Sequence, residues 1–230
     1  MIILIETSTS LCTCAICDIH GKILASRRSE TPRSQASLTA PFVDGMLREL
    51  GVRAPECSAV CVSSGPGSYT GLRVGVSTAK GLCFGAGIPL ISVSTLDTLV
   101  EQAYLDGLVP EGCRYIVPMV DARRMEVYTA VYEGRLRKGD VAPVIVDGDF
   151  FNARGIDPSD GVLIIGDGAL KCKELLGVSG VAFEQCCPRA DAMAGLAARK
   201  LGAGEFENVA YFEPFYLKEF VATVSKKSLF

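Results

Sequence analysis

The sequence predicts an α/β fold of two similar lobes, each a mixed sheet with helices on its faces. Three observations carry this expectation. The first half reads as three strands, then helix, strand, helix, strand, helix, and a meander followed by βα units builds a sheet with antiparallel and parallel neighbours. The second half repeats that order more weakly. Between them Gly, Pro and Glu cluster from Gly107 to Gly112, a join that divides the chain into lobes of residues 1–106 and 107–230.

Each element has a local reason. Met1 to Ile5 is a short apolar strand, followed by a polar turn of Thr7, Ser8, Thr9 and Ser10. A second strand, Leu11 to Ile19, turns at His20-Gly21 into a third, Lys22 to Arg28. Apolar residues then recur at three- to five-residue spacing, giving an amphipathic helix from Leu38 to Leu50 ended by Gly51. Ala59 to Ser63 is a buried strand, and GPGSYTG leads into a helix from about Thr70 to Phe84. Pro89 to Val93 follows as a strand, and Ser94 or Thr95 caps a helix through Leu105. In the second half the expected strands are Arg114 to Val120, Met125 to Tyr132, Val141 to Val146, Gly161 to Ile165 and Val181 to Phe183. A last helix, rich in Ala and Gly, is expected from Asp191 to Leu201.

Composition narrows the function. The 230 residues are 49% apolar and 21% charged, ample for a buried core. Net charge is −3, so no global positive field draws the chain onto nucleic acid. Trp is absent and His20 stands alone, which leaves little for an imidazole-based site. Ten cysteines sit mostly in apolar, strand-like runs such as LCTCAIC, without paired CxxC spacings; reduced thiols are expected. Glu6 interrupts the apolar start and the first basic residue is Lys22, so no secretory signal is read there. No run reaches the roughly 18 apolar residues of a membrane span. A cytoplasmic protein with no membrane partner is the expectation.

Three segments have the residue types for chemistry. Gly65 to Leu82, GPGSYTGLRVGVSTAKGL, joins a strand, a glycine loop and a helix start, the arrangement that aims backbone N–H groups at an anion. Gly65, Gly67, Ser68, Thr70 and Arg73 would form that site, although the spacing matches neither a P-loop nor a dinucleotide fingerprint. Gly71, Gly75 and Ala79, four apart, leave one helix face almost bare. Such a face admits another backbone closely, either within the lobe or from another subunit. Glu6, Thr7, Ser8 and Thr9 in the first hairpin, and Asp121 and Arg123 in its counterpart, are placed to face one cleft. Two opposed carboxylates there would suit Mg²⁺-phosphate or an activated water; alternatively they satisfy turn N–H groups. The basic clusters Arg27-Arg28-Arg33 and Lys226-Lys227 lack interleaved aromatics and read as solvated faces.

Together these segments resemble the bacterial TsaB (YeaZ) family of tRNA threonylcarbamoyladenosine biosynthesis. The resemblance rests on ILIETSTSLCTCAI, GPGSYTGLRVGVSTAKGL, ISVSTLDTL, DARRMEVYTAVY and FEPFYLK, in order along nearly the whole chain. It implies two ribonuclease-H-like lobes of the actin and sugar-kinase (ASKHA) class. It also implies a subunit without catalysis or metal of its own that pairs with TsaD, the transferase that binds ATP and metal, with TsaE joining them. ATP or ADP and Mg would then be present only in that complex, and tRNA would be met only through it. Carried over, the interface uses Leu38, Phe42 and Met46 on one helix and Gly71, Val74, Gly75, Thr78 and Ala79 on the next. A homodimer through the same helices is expected for the chain alone. Two positions depart from the family: Glu6 stands for the usual Asp, and Gln35 for a His often found ahead of the first helix.

A competing expectation is a free-standing Mg-ATP-dependent phosphotransferase or ATPase of the same superfamily, using Glu6, Asp121 and the Thr7 to Thr9 hydroxyls. A peptidase has no support, since neither a zinc ligand set nor a Ser-His pair surrounds His20.

Overall fold

Two five-stranded sheets of the same topology organise the chain; the computed structural model describes residues 1–217. In the first sheet, β1 (Ile2–Glu6), β2 (Cys12–Cys17), β3 (Ile23–Ser29), β4 (Ala59–Gly65) and β5 (Leu90–Ser94) are ordered β3-β2-β1-β4-β5. The second comprises β6 (Tyr115–Asp121), β7 (Glu126–Glu133), β8 (Leu136–Ile145), β9 (Val162–Ile165) and β10 (Val181–Glu184), ordered β8-β7-β6-β9-β10. Each first strand is antiparallel to the second and parallel to the fourth: Ile2 faces Cys17 and Ala59, while Tyr115 faces Glu133 and Val162. The expected repeat is therefore a repeat of topology, strand for strand.

Why β1 is apolar throughout is explained by what covers it. Ile3 and Ile5 point to one face, where α1 (Gln35–Glu49) and α2 (Tyr69–Ala86) supply Val43, Met46, Val76 and Ala79. Ile2 and Leu4 point to the other, packed by Met193, Ala194 and Ala197. A strand covered on both faces has no polar side to alternate. Helix ends follow local chemistry: the Ser68 hydroxyl caps α2 by accepting from Gly71 N (3.3 Å), and Gly87 ends it at φ +69°. Ser94 caps α3 (Thr95–Leu105) by accepting from Leu96 N at 3.2 Å.

Helices cross the sequence division at residue 106. All strands of the first sheet precede it and all strands of the second follow it. Yet Leu96, Leu99, Val100 and Ala103 of α3 pack with Ile116, Val120, Leu163 and Ile165 of the second sheet. Conversely, α5 (Ala194–Ala203), from the second half, covers the first sheet. Each half thus lends its last helix to the other. Arg189 ties the exchange together, donating from both terminal nitrogens to the Asp106 carboxylate at 2.7 and 2.9 Å.

Beyond α5 the chain returns along the first lobe. Glu207 N donates to Leu90 O at 2.8 Å and so covers part of the open β5 edge. Lys80 Nζ donates to the Ala210 and Phe212 carbonyls, Phe215 N to Ser64 O at 2.7 Å, and Tyr216 packs on Tyr69. This places the FEPFYL part of the C-terminal motif; Lys218 and the Lys226-Lys227 pair lie outside the described residues.

Several element ends shift by one to three residues, α1 opening at Gln35 rather than Leu38, and two elements differ further. β8 begins at Leu136 rather than Val141, because Lys138, Gly139 and Asp140 form a polar edge strand that reads as a turn. The last helix opens with a 3₁₀ turn, Ala190–Met193, before α5. All ten cysteines are free, and seven are buried as small apolar groups; burial pushes the Cys17 and Cys83 thiols up to about 11.

Candidate functional site

Both sheets end at the lobe boundary with acidic residues. Glu6 closes β1 and is fully buried. One oxygen accepts from Ser8 N at 2.6 Å, while Oε2 has no partner, nor do Ser8 Oγ and Thr9 Oγ1. The Ser8 and Ser63 hydroxyls are close enough to favour the charged form, but neither closes a hydrogen bond to Oε2. Desolvation dominates, and the carboxyl is pushed up to about 7, helped by the negative charge of Asp167. Asp121, its counterpart at the end of β6, is exposed and clasped by Lys171 Nζ.

The residue that bears on Glu6 from the second lobe is thus Asp167, which sequence reasoning missed. Its Oδ1 accepts from Asp121 N at 2.8 Å, and burial raises it to about 6. A signal was present: Gly166-Asp167-Gly168 follows β9 as Gly65-Pro66-Gly67 closes β4. A Cβ on Gly166 would lie 2.3 Å from Met119 O, and one on Gly67 would lie 2.3 Å from Ser8 O. In both lobes the glycines let the fourth strand's exit touch the first strand's exit.

This donor set does not fit Mg²⁺. Glu6 is walled in and its burial opposes the charged form, Asp121 is engaged by an ammonium, and no group of three or more His, Cys, Asp or Glu among the described residues is placed to hold a metal. Thr7 turns away from the cleft, donating to Gly71 O at 2.8 Å. Arg123 occupies the β6–β7 turn at φ +69°, with its N–H on Asp121 Oδ1.

The glycine segment is a packing device. Ser68 N donates to Ser8 O at 2.6 Å, Gly71 N to the Ser68 hydroxyl, and Leu72 N to Ser68 O. Those three N–H groups are engaged within the lobe. Arg73 lies over the Tyr69 ring at 4.2 Å, and Thr70 is exposed at the helix start. A Cβ on Gly65 would lie 3.0 Å from Phe215 O.

The bare face of α2 also looks inward, which corrects one side of the interface expectation. Cβ atoms on Gly71 and Gly75 would lie 2.1 Å from Thr7 O and 2.3 Å from Thr7 Oγ1, and Ala79 is fully buried. Met46 of α1 is likewise in the core. Val74 and Thr78 of α2, and Leu38 and Phe42 of α1, are only half-buried. Beside them a second small-residue row faces out: Cβ atoms on Gly45, Gly81 and Gly85 would meet nothing within 4 Å. Phe84, in the same last turns of α2, is 89% exposed. Gln35, at the position of the family's His, donates to the Thr9 and Ser10 carbonyls at 2.9 and 3.2 Å and so pins the first turn to α1.

Two sheets of one topology with a polar seam at their strand ends define a two-lobed protein of the ASKHA class. Comparison with known proteins narrows this. A family model described as TsaD, tRNA N6-adenosine threonylcarbamoyltransferase, matches residues 29–147. The tRNA threonylcarbamoyladenosine biosynthesis protein TsaB of Escherichia coli is 30% identical over 227 residues, 96% of either chain. That of Bacillus subtilis is 39% identical over 94 residues, 40% of this chain and 38% of the relative. The structure of YeaZ from Pseudomonas aeruginosa superposes with a TM-score of 0.79 at 26% identity, covering 94% of this chain and 99% of the other. The chain belongs to the TsaB (YeaZ) family, whose named members serve tRNA threonylcarbamoyladenosine biosynthesis.

Proposed function

We propose that this chain is a non-catalytic subunit that binds and activates TsaD for transfer of threonylcarbamoyl to N6 of a tRNA adenosine. One observation carries the reading: the outward face of α1 and α2. Leu38, Phe42, Val74 and Thr78 line it, Gly45, Gly81 and Gly85 leave it shallow, and Phe84 stands exposed at its edge in the last turns of α2. An exposed aromatic beside backbone bare enough for close helix approach is the chemistry of a protein interface. Nucleotide and Mg are held by TsaD and TsaE in this reading, because Glu6 of this chain is buried and its burial opposes the charged form a metal ligand needs. In the absence of TsaD the same face pairs two copies of the chain, and the site of action is the cytoplasm. No helix of the described residues is long and apolar enough to cross a membrane.

Light-scattering mass of the chain alone and mixed with TsaD of its organism, with ATP turnover assayed on both, tests this. The expected result is a stable heterodimer and no turnover by this chain alone. Absence of a complex, together with turnover lost in Glu6→Ala or Asp121→Ala, would instead establish the free-standing phosphotransferase.

A further inference from the structure

Most arginines of the chain are engaged. Arg48 pairs with Asp44, Arg114 with Glu133 and Asp160, and Arg189 with Asp106 and Asp191. Arg28, Arg33, Arg123 and Arg124 are different: each is exposed, and none has an ion pair, side-chain hydrogen bond or ring contact among the described residues. Three of them, Arg33, Arg123 and Arg124, are also the only non-glycine residues at positive φ among the described residues, at +61°, +69° and +51°. That conformation is one L side chains avoid.

The topology puts all four at one end of the molecule. Arg28 lies opposite Thr13, near the start of β2, and Arg33 precedes α1, whose Gln35 holds the Thr9 and Ser10 carbonyls of the β1–β2 turn. Arg123 and Arg124 form the β6–β7 turn, which is the equivalent turn of the second lobe. The two turns meet the same seam, because Asp167, bonded to Asp121 N, bears on Glu6. Among the acids there, Asp121 is bound by Lys171, Glu6 is buried and Asp167 is largely withdrawn from water. This leaves two exposed acids near the four arginines: Glu30 beside Arg33, and Asp147 after Val146, whose N–H donates to Met125 O next to Arg124.

We propose that Arg28, Arg33, Arg123 and Arg124 form a rim across both lobes that contacts the phosphate backbone of the tRNA handled by the complex. The proposal rests on the reading given above, that the chain works in a complex acting on tRNA. An extended polyanion fits better than a small one. Arg28 lies on β3 of the first sheet and Arg123 and Arg124 in the β6–β7 turn of the second, and the shallow concavity of about 280 Å³ at Arg28 includes none of the other three. No aromatic is interleaved with them, which makes the contact one of charge with backbone rather than stacking with bases. Four such contacts on a chain of net charge −3 do not hold RNA unaided, and the rim adds to what the partner binds.

The test is the affinity of the assembled complex for an unmodified tRNA transcript, titrated from about 50 to 200 mM salt. The variants are Arg123→Ala with Arg124→Ala, and Arg28→Ala with Arg33→Ala. Arg53→Ala, paired with Glu56 ahead of the opposite end of β4, is the control. Each double variant is expected to weaken binding about fivefold at the low-salt end and to flatten the salt slope by about 1.5, with the light-scattering mass of the TsaD pair unchanged. A pair that forms normally but keeps wild-type affinity and slope overturns the rim. Failure of the unmodified chain to pair with TsaD overturns the underlying reading, and the rim with it.

Discussion

The two lobes share a sheet and differ in what covers its outer face. In the first, α1 and α2 supply 15 and 18 residues of amphipathic helix, each with an inner face in the core and an outer face left open. The second has 3₁₀ turns at Asn152–Arg154 and Leu170–Cys172, and a four-residue helix, α4 (Lys173–Leu176), over Phe150, Ile156 and Leu176. Those short pieces satisfy a core and present no helical surface. One sheet topology serves both lobes, and only the first carries helices of 15 and 18 residues on this face. The contrast recurs within α2, where one glycine row is buried against Thr7 and the other faces solvent.

The strongest way to break this comparison is to confuse the two rows. Gly75→Leu drives carbon into Thr7 Oγ1, Val62 and Ile5, which surround the site at 2.3, 3.5 and 3.6 Å from a Cβ. Neither Thr7, held by Gly71 O, nor the β-branched pair can retreat. The expected loss is roughly 4 kcal/mol or more, a large share of the stability of an ordinary domain, and should appear as insolubility or a collapsed thermal transition. A well-folded Gly75→Leu chain that merely fails to pair would return this row to the interface.

The strand-end acids separate the lobes next. The folded Glu6 carboxyl titrates near 7, against 4.5 when unfolded. Between those values the folded state binds the extra proton, so stability is full below 4.5 and falls as pH rises through 7. The size is on the order of 3 kcal/mol. Glu6→Gln, which keeps an oxygen for Ser8 N and replaces the unpartnered Oε2 with an amide, should flatten melting temperature against pH from 5 to 8, leaving the smaller slope of the same sign from Asp167. Asp121→Asn, at the exposed counterpart, should change stability by less than about 1 kcal/mol. Equal slopes in wild type and Glu6→Gln would remove the buried-acid account.

Phe84→Asp is aimed at the outer face alone. Nothing in the lobe needs this ring, since it is 89% exposed, so melting should move little. Pairing with TsaD should weaken about 30-fold, the scale of a central aromatic anchor of about 2 kcal/mol. Unchanged affinity would shift the interface away from the end of α2.

How far the sequence could carry this is clear from particular residues. Apolar runs such as IILI and AVCV located the strands, and their order was enough for two sheets, because alternation and continuity report burial directly. The exchange of α3 and α5 was invisible: the spacing of Leu96, Leu99 and Ala103 says that one face is buried and nothing about whose sheet buries it. The glycine spacing of α2 was legible as close approach, but glycine carries no sign of direction. Gly71 and Gly75 meet their own chain, whereas Gly81 and Gly85, just as plain in the sequence, meet none. Asp167 escaped because its partner turn lies far away in sequence, although the repeated Gly-x-Gly after β4 and β9 pointed to it.

The finest test of the contrast is one methyl group on each row. In an exposed helical position Gly→Ala stabilises by about 1 kcal/mol through propensity alone. Gly81→Ala should therefore raise the melting temperature by roughly 2–4 °C, since its Cβ meets nothing within 4 Å. Gly75→Ala, on the same helix, should lower it, because its Cβ would lie 2.3 Å from Thr7 Oγ1. If the outer row admits the TsaD helix, Gly81→Ala must also weaken pairing while it strengthens the fold. Those opposite signs in a single variant, read by calorimetry and by titration with TsaD, separate a glycine kept for a partner from one kept for its own lobe. A gain in stability without loss of affinity would leave Gly81 outside the contact.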